Sequence, residues 1–229
     1  MAKNIIMPYL AREPKGERNN RSGYLSPMKE RIVFSQRAAS SFDIRIKEVL
    51  DWMDVEKSTR WASQILASGK RATYCDHYAA DFLCQLYGPK AVDFGAWIWW
   101  TDSSLEKLER DESVEITYGS TVKELGAKGL HLWMKNYGPQ FNWKLFKTSE
   151  ELRSYVNSTP MAVGTIHTPT HVSIVLPDRI GPIPLGNPPV PLQSQAGSRN
   201  KKMWRQNDWY RSNKETIFAA YSPMHLVGN

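Results

Sequence analysis

The stretch RATYCDHYAADFLCQLYG, residues 71–88, decides how this chain is read. Tyr78, Ala79, Phe82, Leu83 and Leu86 recur at three- and four-residue spacing, the apolar stripe of an amphipathic helix. Thr73 stands where an N-cap is expected, and Tyr87-Gly88-Pro89 stops the helix. Cys75 precedes Tyr78 and Ala79 by three and four residues, so it shares their inward face but sits at the helix mouth. Free N–H groups give a helix N-terminus partial positive charge. A thiol there ionises more readily, and the thiolate is the reactive form. The competing reading makes Cys75 a small apolar core residue.

On either side the texture differs. Residues 1–30 are polar, and REPKGERNNRSG reads as a loop or arm. From Pro27 to Ala67 helical periodicity runs through Val33, Ala38, Phe42, Ile46, Val49, Leu50 and Met53, then Trp61, Ile65 and Leu66, giving one or two helices. Residues 89–120, with WIWW at 97–100, read as irregular. TVKE at 121–124 has the capping-box form and predicts a helix from Thr121 to the YGP at 137–139. TSEE at 148–151 repeats the pattern and predicts a short helix ending before Pro160. MAVGTI (161–166) and HVSIVLP (171–177) read as strands around the turn HTPT, with LQSQAG and TIFAAYS as further strands. The Pro/Gly-rich 181–191 reads as a surface loop. Helices followed by an antiparallel strand set predict the α+β class. An arm and helical extension over 1–58 then precede a main domain over 59–229.

Composition narrows the class. The chain has 229 residues, two cysteines and a formal net charge of +7. That charge favours contact with a polyanion, whether nucleic acid, teichoic acid, anionic lipid or cell wall. The basic residues are spread rather than striped, so no specific nucleic-acid partner is expected. No apolar run reaches the length of a membrane span. The N-terminal apolar stretch is too short and too soon broken by charge for a secretory signal. Cys75 and Cys84 on one helix are separated by about 13 Å of rise and half a turn, beyond disulfide reach. Neither metal nor cofactor is expected, since Cys75-Asp76-His77 is too compact for a usual ligand pair.

A nucleophile needs a base. His171 begins an apolar strand and is preferred over His167; a ring at a strand start can point at a helix mouth packed on the sheet. A polar group should orient that imidazole, and strand alternation puts Gln193 and Gln195 on one face. Gln195 is preferred, with Gln193 and then Asn200 behind it. Asp76, beside the thiol, opposes its ionisation unless it turns away as a cap. Tyr74 could line the site or donate to an oxyanion, although the Cys75 backbone N–H is the better donor. Trp100 and its neighbours Trp97 and Trp99, with Trp133 and Trp143, read as core or as subsite walls. His77 is expected at the solvent side of the helix, His131 in packing and His225 in the tail.

Helix-start Cys, strand-start His and a polar strand residue, in that order, resemble the papain-like cysteine hydrolases of the NlpC/P60 and CHAP kind. TYCDHYAADFL resembles their Cys helix and THVSIVLP their His strand. WIWWTD, NYGPQFNWKLF and QSQAGSRN are similar, in order, to segments of a bacterial and phage group of such proteins. Two positions depart from that pattern, with Asp76 in place of Asn and Thr170 in place of Gly. The resemblance spans residues 60–221 and implies a nucleophile helix packed on an antiparallel sheet. It further implies an amidase or endopeptidase acting on peptidoglycan through a Cys75 thioacyl intermediate, with His171 as base and Gln195 holding it. Tyr74, Asp76, Trp100 and Gln193 would then be the substrate and oxyanion contacts. A protein-directed peptidase, deamidase or transglutaminase on the same scaffold stays open, as does a non-catalytic module with a vestigial Cys/His pair. The expected partner is peptidoglycan or a peptide, with an immunity or carrier protein if the chain is an injected effector. Synthesis in the cytoplasm without a signal peptide, and action at the cell wall or periplasm after lysis or delivery, complete the expectation.

Overall fold

Ser35 and Ser41 each turn a hydroxyl toward an N–H three residues ahead and so start two successive helices, α1 (Gln36–Ser40) and α2 (Phe42–Met53). In this computed structural model the described residues are 31–88, 98–100, 102–110, 112–114, 122–124, 126–181, 190–206 and 208–223. A short pair, β1 (Gln64–Ile65) with β2 (Arg71–Ala72), leads into α3 (Cys75–Tyr87). Further along lie β3 (Ile98–Trp100), α4 (Asp102–Glu109), β4 (Val122–Glu124) and α5 (Ala127–Tyr137). Then come β5 (Trp143–Phe146), α6 (Ser149–Ser158), β6 (Val163–Thr168) and β7 (His171–Leu176). The chain continues through β8 (Leu192–Gln195), β9 (Lys201–Trp204), α7 (Asp208–Arg211) and β10 (Ile217–Tyr221). The class is α+β.

Six strands form one antiparallel sheet in the order β5-β10-β6-β7-β8-β9. Successive side chains leave a strand on opposite faces, and here each face has its own cover. Val163, Val172, Ile174, Leu176 and Leu192 share a core with α2, α3 and α5. Ile166, Val175 and Ala220 pack instead with Leu152 and Val156 of α6 and Tyr210 of α7. The sheet therefore lies between two helical layers, and register decides which layer a strand side chain meets.

α3 is buried nearly all round, which an amphipathic stripe does not foretell. The segment before it closes its outer side. Arg60 donates to Asp81 through Nε (3.0 Å) and Nη2 (2.9 Å), the Trp61 indole N–H donates to the same oxygen, and the Ile32 N–H donates to Gln85. These contacts supply the partners that buried polar groups require. α2 packs from the same side, so the residues expected as an extension contribute Ile46, Val49, Leu50 and Met53 to the core that holds Phe82. Truncating Phe82, fully buried there, should cost about 3–5 kcal/mol.

Several local expectations change. Tyr74, not Thr73, occupies the N-cap of α3, and it offers no side-chain cap. TVKE does not start a helix: Val122–Glu124 pairs with Ile98–Trp100 as a strand, and α5 begins at Ala127 after Gly126. A capping-box sequence is only a local preference, and here strand pairing outweighs it. The stretch expected to be irregular contains β3 and α4, and β5 and β9 form the sheet edges. α6 follows the prediction: Thr148 Oγ1 accepts the Glu151 N–H at 3.1 Å. The arm over 1–30, Trp97, loop residues 182–189 and His225 lie outside the described residues, as do the Trp99 and Trp100 side chains. Among the described residues, no helix is long and apolar enough to cross a membrane.

Candidate active site

β7 and β8 bring two of the expected residues together. Their register pairs Ile174 with Ser194 and Val175 with Gln193, so Gln195 and His171 extend from the same face near one end of the sheet. His171 Nε2 lies 2.7 Å from Gln195 Oε1. The glutamine amide is itself oriented, because its Nε2 donates to the Arg199 carbonyl at 3.2 Å. Its oxygen must therefore face the ring, and His171 Nε2 must carry the proton. In the neutral imidazole the lone pair is then on Nδ1, which makes Nδ1 the basic atom.

The ring is held on its other sides as well. Trp209 meets it edge to face at 4.8 Å, and the Trp209 indole N–H donates to Gln193. Gln193 also accepts from Ser173 at 2.9 Å and donates to the Gln206 carbonyl at 2.7 Å. Both lone pairs of its oxygen are thereby occupied, and Gln193 holds the Trp209 indole in place. Across from His171, Gly197 leaves no room: a Cβ there would stand 3.1 Å from His171 Cε1. Asn200 pins this turn. Its oxygen accepts from Gly197 N–H at 3.0 Å, and its amide donates to the Val55 and Trp61 carbonyls at 2.9 and 3.1 Å. Asn200 is thus a clamp on the turn and does not orient the imidazole. Nothing in the local sequence signals it, since its carbonyl partners lie far back in the chain.

Cys75 begins α3 as expected, 2% exposed, as one of two free cysteines. Its Sγ lies 4.0 Å from Asp76 Oδ1, and Asp76 Oδ2 lies 3.3 Å from His77 Nδ1. His77 does not face solvent: it is 2% exposed, against the Tyr74 ring. A helix covered on its outer side has no solvent face at that position. The Tyr74 hydroxyl is buried and has no hydrogen-bond partner among the described residues. That leaves it available as a donor.

Burial lowers the pKa of His171 below its ordinary value, while the Gln195 hydrogen bond and the Asp76 charge pull it upward. The reach of the Asp76 field links the α3 mouth to the His171 end of the sheet. The two groups nevertheless approach from different faces. Val172 and Ile174 face α3, whereas His171 leans on Trp209 with Ser173 and Gln193 beside it. His167 is a different matter. It lies on the α3 side, fully buried, with Nε2 2.8 Å from Thr165 Oγ1, and burial with the nearby His131 drives its pKa to about 3. Such a ring stays neutral and serves packing.

The remaining expected residues fall in the core. Trp133 packs on Phe141 at 5.1 Å and Trp143 on Tyr221 at 5.5 Å, so neither forms a subsite wall. His131 is buried in α5. Cys84 is half-buried and accepts a contact from Arg31. No protein-family model, curated protein or solved structure matches this chain.

Proposed function

We propose that the chain is a cysteine-dependent amide hydrolase of papain-like architecture, with peptidoglycan as its substrate. The observation that carries the reading is the His171–Gln195 pair, with the glutamine amide locked by Arg199 so that Nδ1 is left as the base. Cys75 at the first turn of α3 supplies the nucleophile, and the antiparallel sheet packed on α3 supports the architecture. In the acylation step the Cys75 thiolate bonds to the amide carbon and the C–N bond breaks. The leaving amine takes the proton that His171 Nδ1 has received from the thiol. Water then attacks the thioester carbonyl and gives a proton to His171; the C–S bond breaks to release the carboxylic acid, and the departing thiolate takes that proton back from His171 to restore the free thiol. The Cys75 N–H and the Tyr74 hydroxyl are the donors suited to the developing oxyanion.

A specific observation favours a second reading, a non-catalytic binding module: Cys75 is almost fully covered, and strand alternation turns His171 toward Trp209. One experiment separates the two. Incubating the full chain with purified sacculi and analysing the released muropeptides by mass should show new amide-cleavage products, absent with Cys75→Ala. Unchanged sacculi, together with equal alkylation rates for Cys75 and Cys84, would replace the hydrolase reading with the binding one.

A further inference from the structure

Two buried titratable side chains follow the nucleophile along α3 and take no part in the steps above. Asp76 and His77 are as fully covered as Cys75. The Asp76 carboxylate turns one oxygen to each neighbour: Oδ1 lies 4.0 Å from Cys75 Sγ, and Oδ2 lies 3.3 Å from His77 Nδ1. The His77 ring is packed edge to face on Tyr74 at 5.9 Å, so its place beside the carboxylate is fixed from the other side.

An ionised carboxylate beside a thiol opposes formation of the thiolate, because like charges at that separation repel. Asp76 stands in the first turn of α3, where free N–H groups and the helix dipole favour its anion. Out of water, that anion calls for a counter-charge. Around the pair, Arg60 meets Asp81 further along α3, Tyr74 flanks the imidazole, and from β7 His171 feels the Asp76 charge. His77 Nδ1 stands at ion-pair distance from the carboxylate.

We propose that His77 is a positioning residue for the nucleophile: its imidazolium neutralises Asp76 and so frees the Cys75 thiol to ionise. This role rests on Cys75 being the nucleophile of the hydrolase proposed above. It runs through Asp76, since one carboxylate spans the sulfur and the ring. A neutral side chain at position 77 would leave a buried negative charge facing the sulfur, whereas an amide at position 76 would need no such partner. The two residues therefore act as a unit.

The test is an NMR titration of the cysteine Cβ carbons in the full chain, which reads thiol against thiolate without requiring a reagent to reach a covered sulfur. The chain has two cysteines, and Cys84→Ser assigns their signals. His77→Gln should move the Cys75 midpoint upward by about 1 pH unit or more, the effect of an uncompensated like charge within about 4–6 Å. In the Asp76→Asn background the same substitution should leave the midpoint nearly unmoved. A purely structural His77 would shift it equally in both backgrounds, and that result, or no shift in either, would overturn the proposal. Nitrogen NMR shifts of the wild-type ring at about pH 7 should show His77 protonated on both nitrogens, and a neutral ring would overturn the proposal as well. If His77→Gln does not fold, the wild-type ring measurement decides alone. None of these measurements uses substrate, so uncut sacculi would remove the hydrolase reading while the coupling of His77 to Cys75 through Asp76 is still judged on its own.

Discussion

Acid should destabilise this protein through His167. The folded ring is neutral, with a pKa near 3 because burial excludes the charged form and His131 is close by. In the unfolded chain the same ring has the ordinary value of 6.5. The folded pKa is therefore depressed, so the stabilisation is complete above about pH 6.5 and is lost as pH falls toward 3. Between about pH 7.5 and pH 5 the unfolded state takes up close to one proton that the folded state refuses, a loss of about 2 kcal/mol. His131 and His171 are also depressed by burial and add to the loss in the same direction. Comparison with His167→Gln, neutral at every pH, isolates the contribution of one residue. Urea unfolding followed by tryptophan fluorescence at the two pH values gives four stabilities. The drop on acidification should be about 2 kcal/mol smaller in the variant than in the wild type. Because the readout is a difference between two drops, a uniform loss of stability in His167→Gln does not enter it. Equal drops in the two proteins would refute the claim that His167 is buried as a neutral ring.

Other outcomes follow from the site. Gln195→Ala removes a contact that raises the His171 pKa and should lower it further, whereas Gln195→Glu should raise it; imidazole NMR titration reads both. Gly197→Ala pushes a methyl against His171 Cε1 and should cut sacculus cleavage several-fold, with the melting temperature changed by only a few degrees. Tyr78→Phe breaks the buried contact between the Tyr78 hydroxyl and Ser194 Oγ at 2.5 Å and should cost about 1 kcal/mol in urea unfolding. Cys84→Ser should leave cleavage largely intact, while Cys75→Ala should abolish it; equal losses would contradict the roles assigned to the two thiols.

Sequence alone determined those features whose causes lie within a few residues. The α3 stripe, the Thr148 cap of α6 and the alternation of His171 through Leu176 were legible because helix and strand periods are local geometry. The pairing of His171 with Gln195 was legible for the same reason, since alternation puts both on one face once β7 and β8 are neighbours. What lay beyond reach depends on partners distant in the chain. Val122–Glu124 is a strand because Ile98–Trp100 lies beside it, against its own capping-box pattern. His77 is buried because residues ahead of α3 fold over its outer side, and no period within α3 records that cover. Asn200 clamps the His171 turn through carbonyls of Val55 and Trp61. The face from which His171 approaches the α3 mouth was likewise set by tertiary structure. A strand pattern says that two sets of side chains diverge, but only packing says which set meets α3 and which meets Trp209.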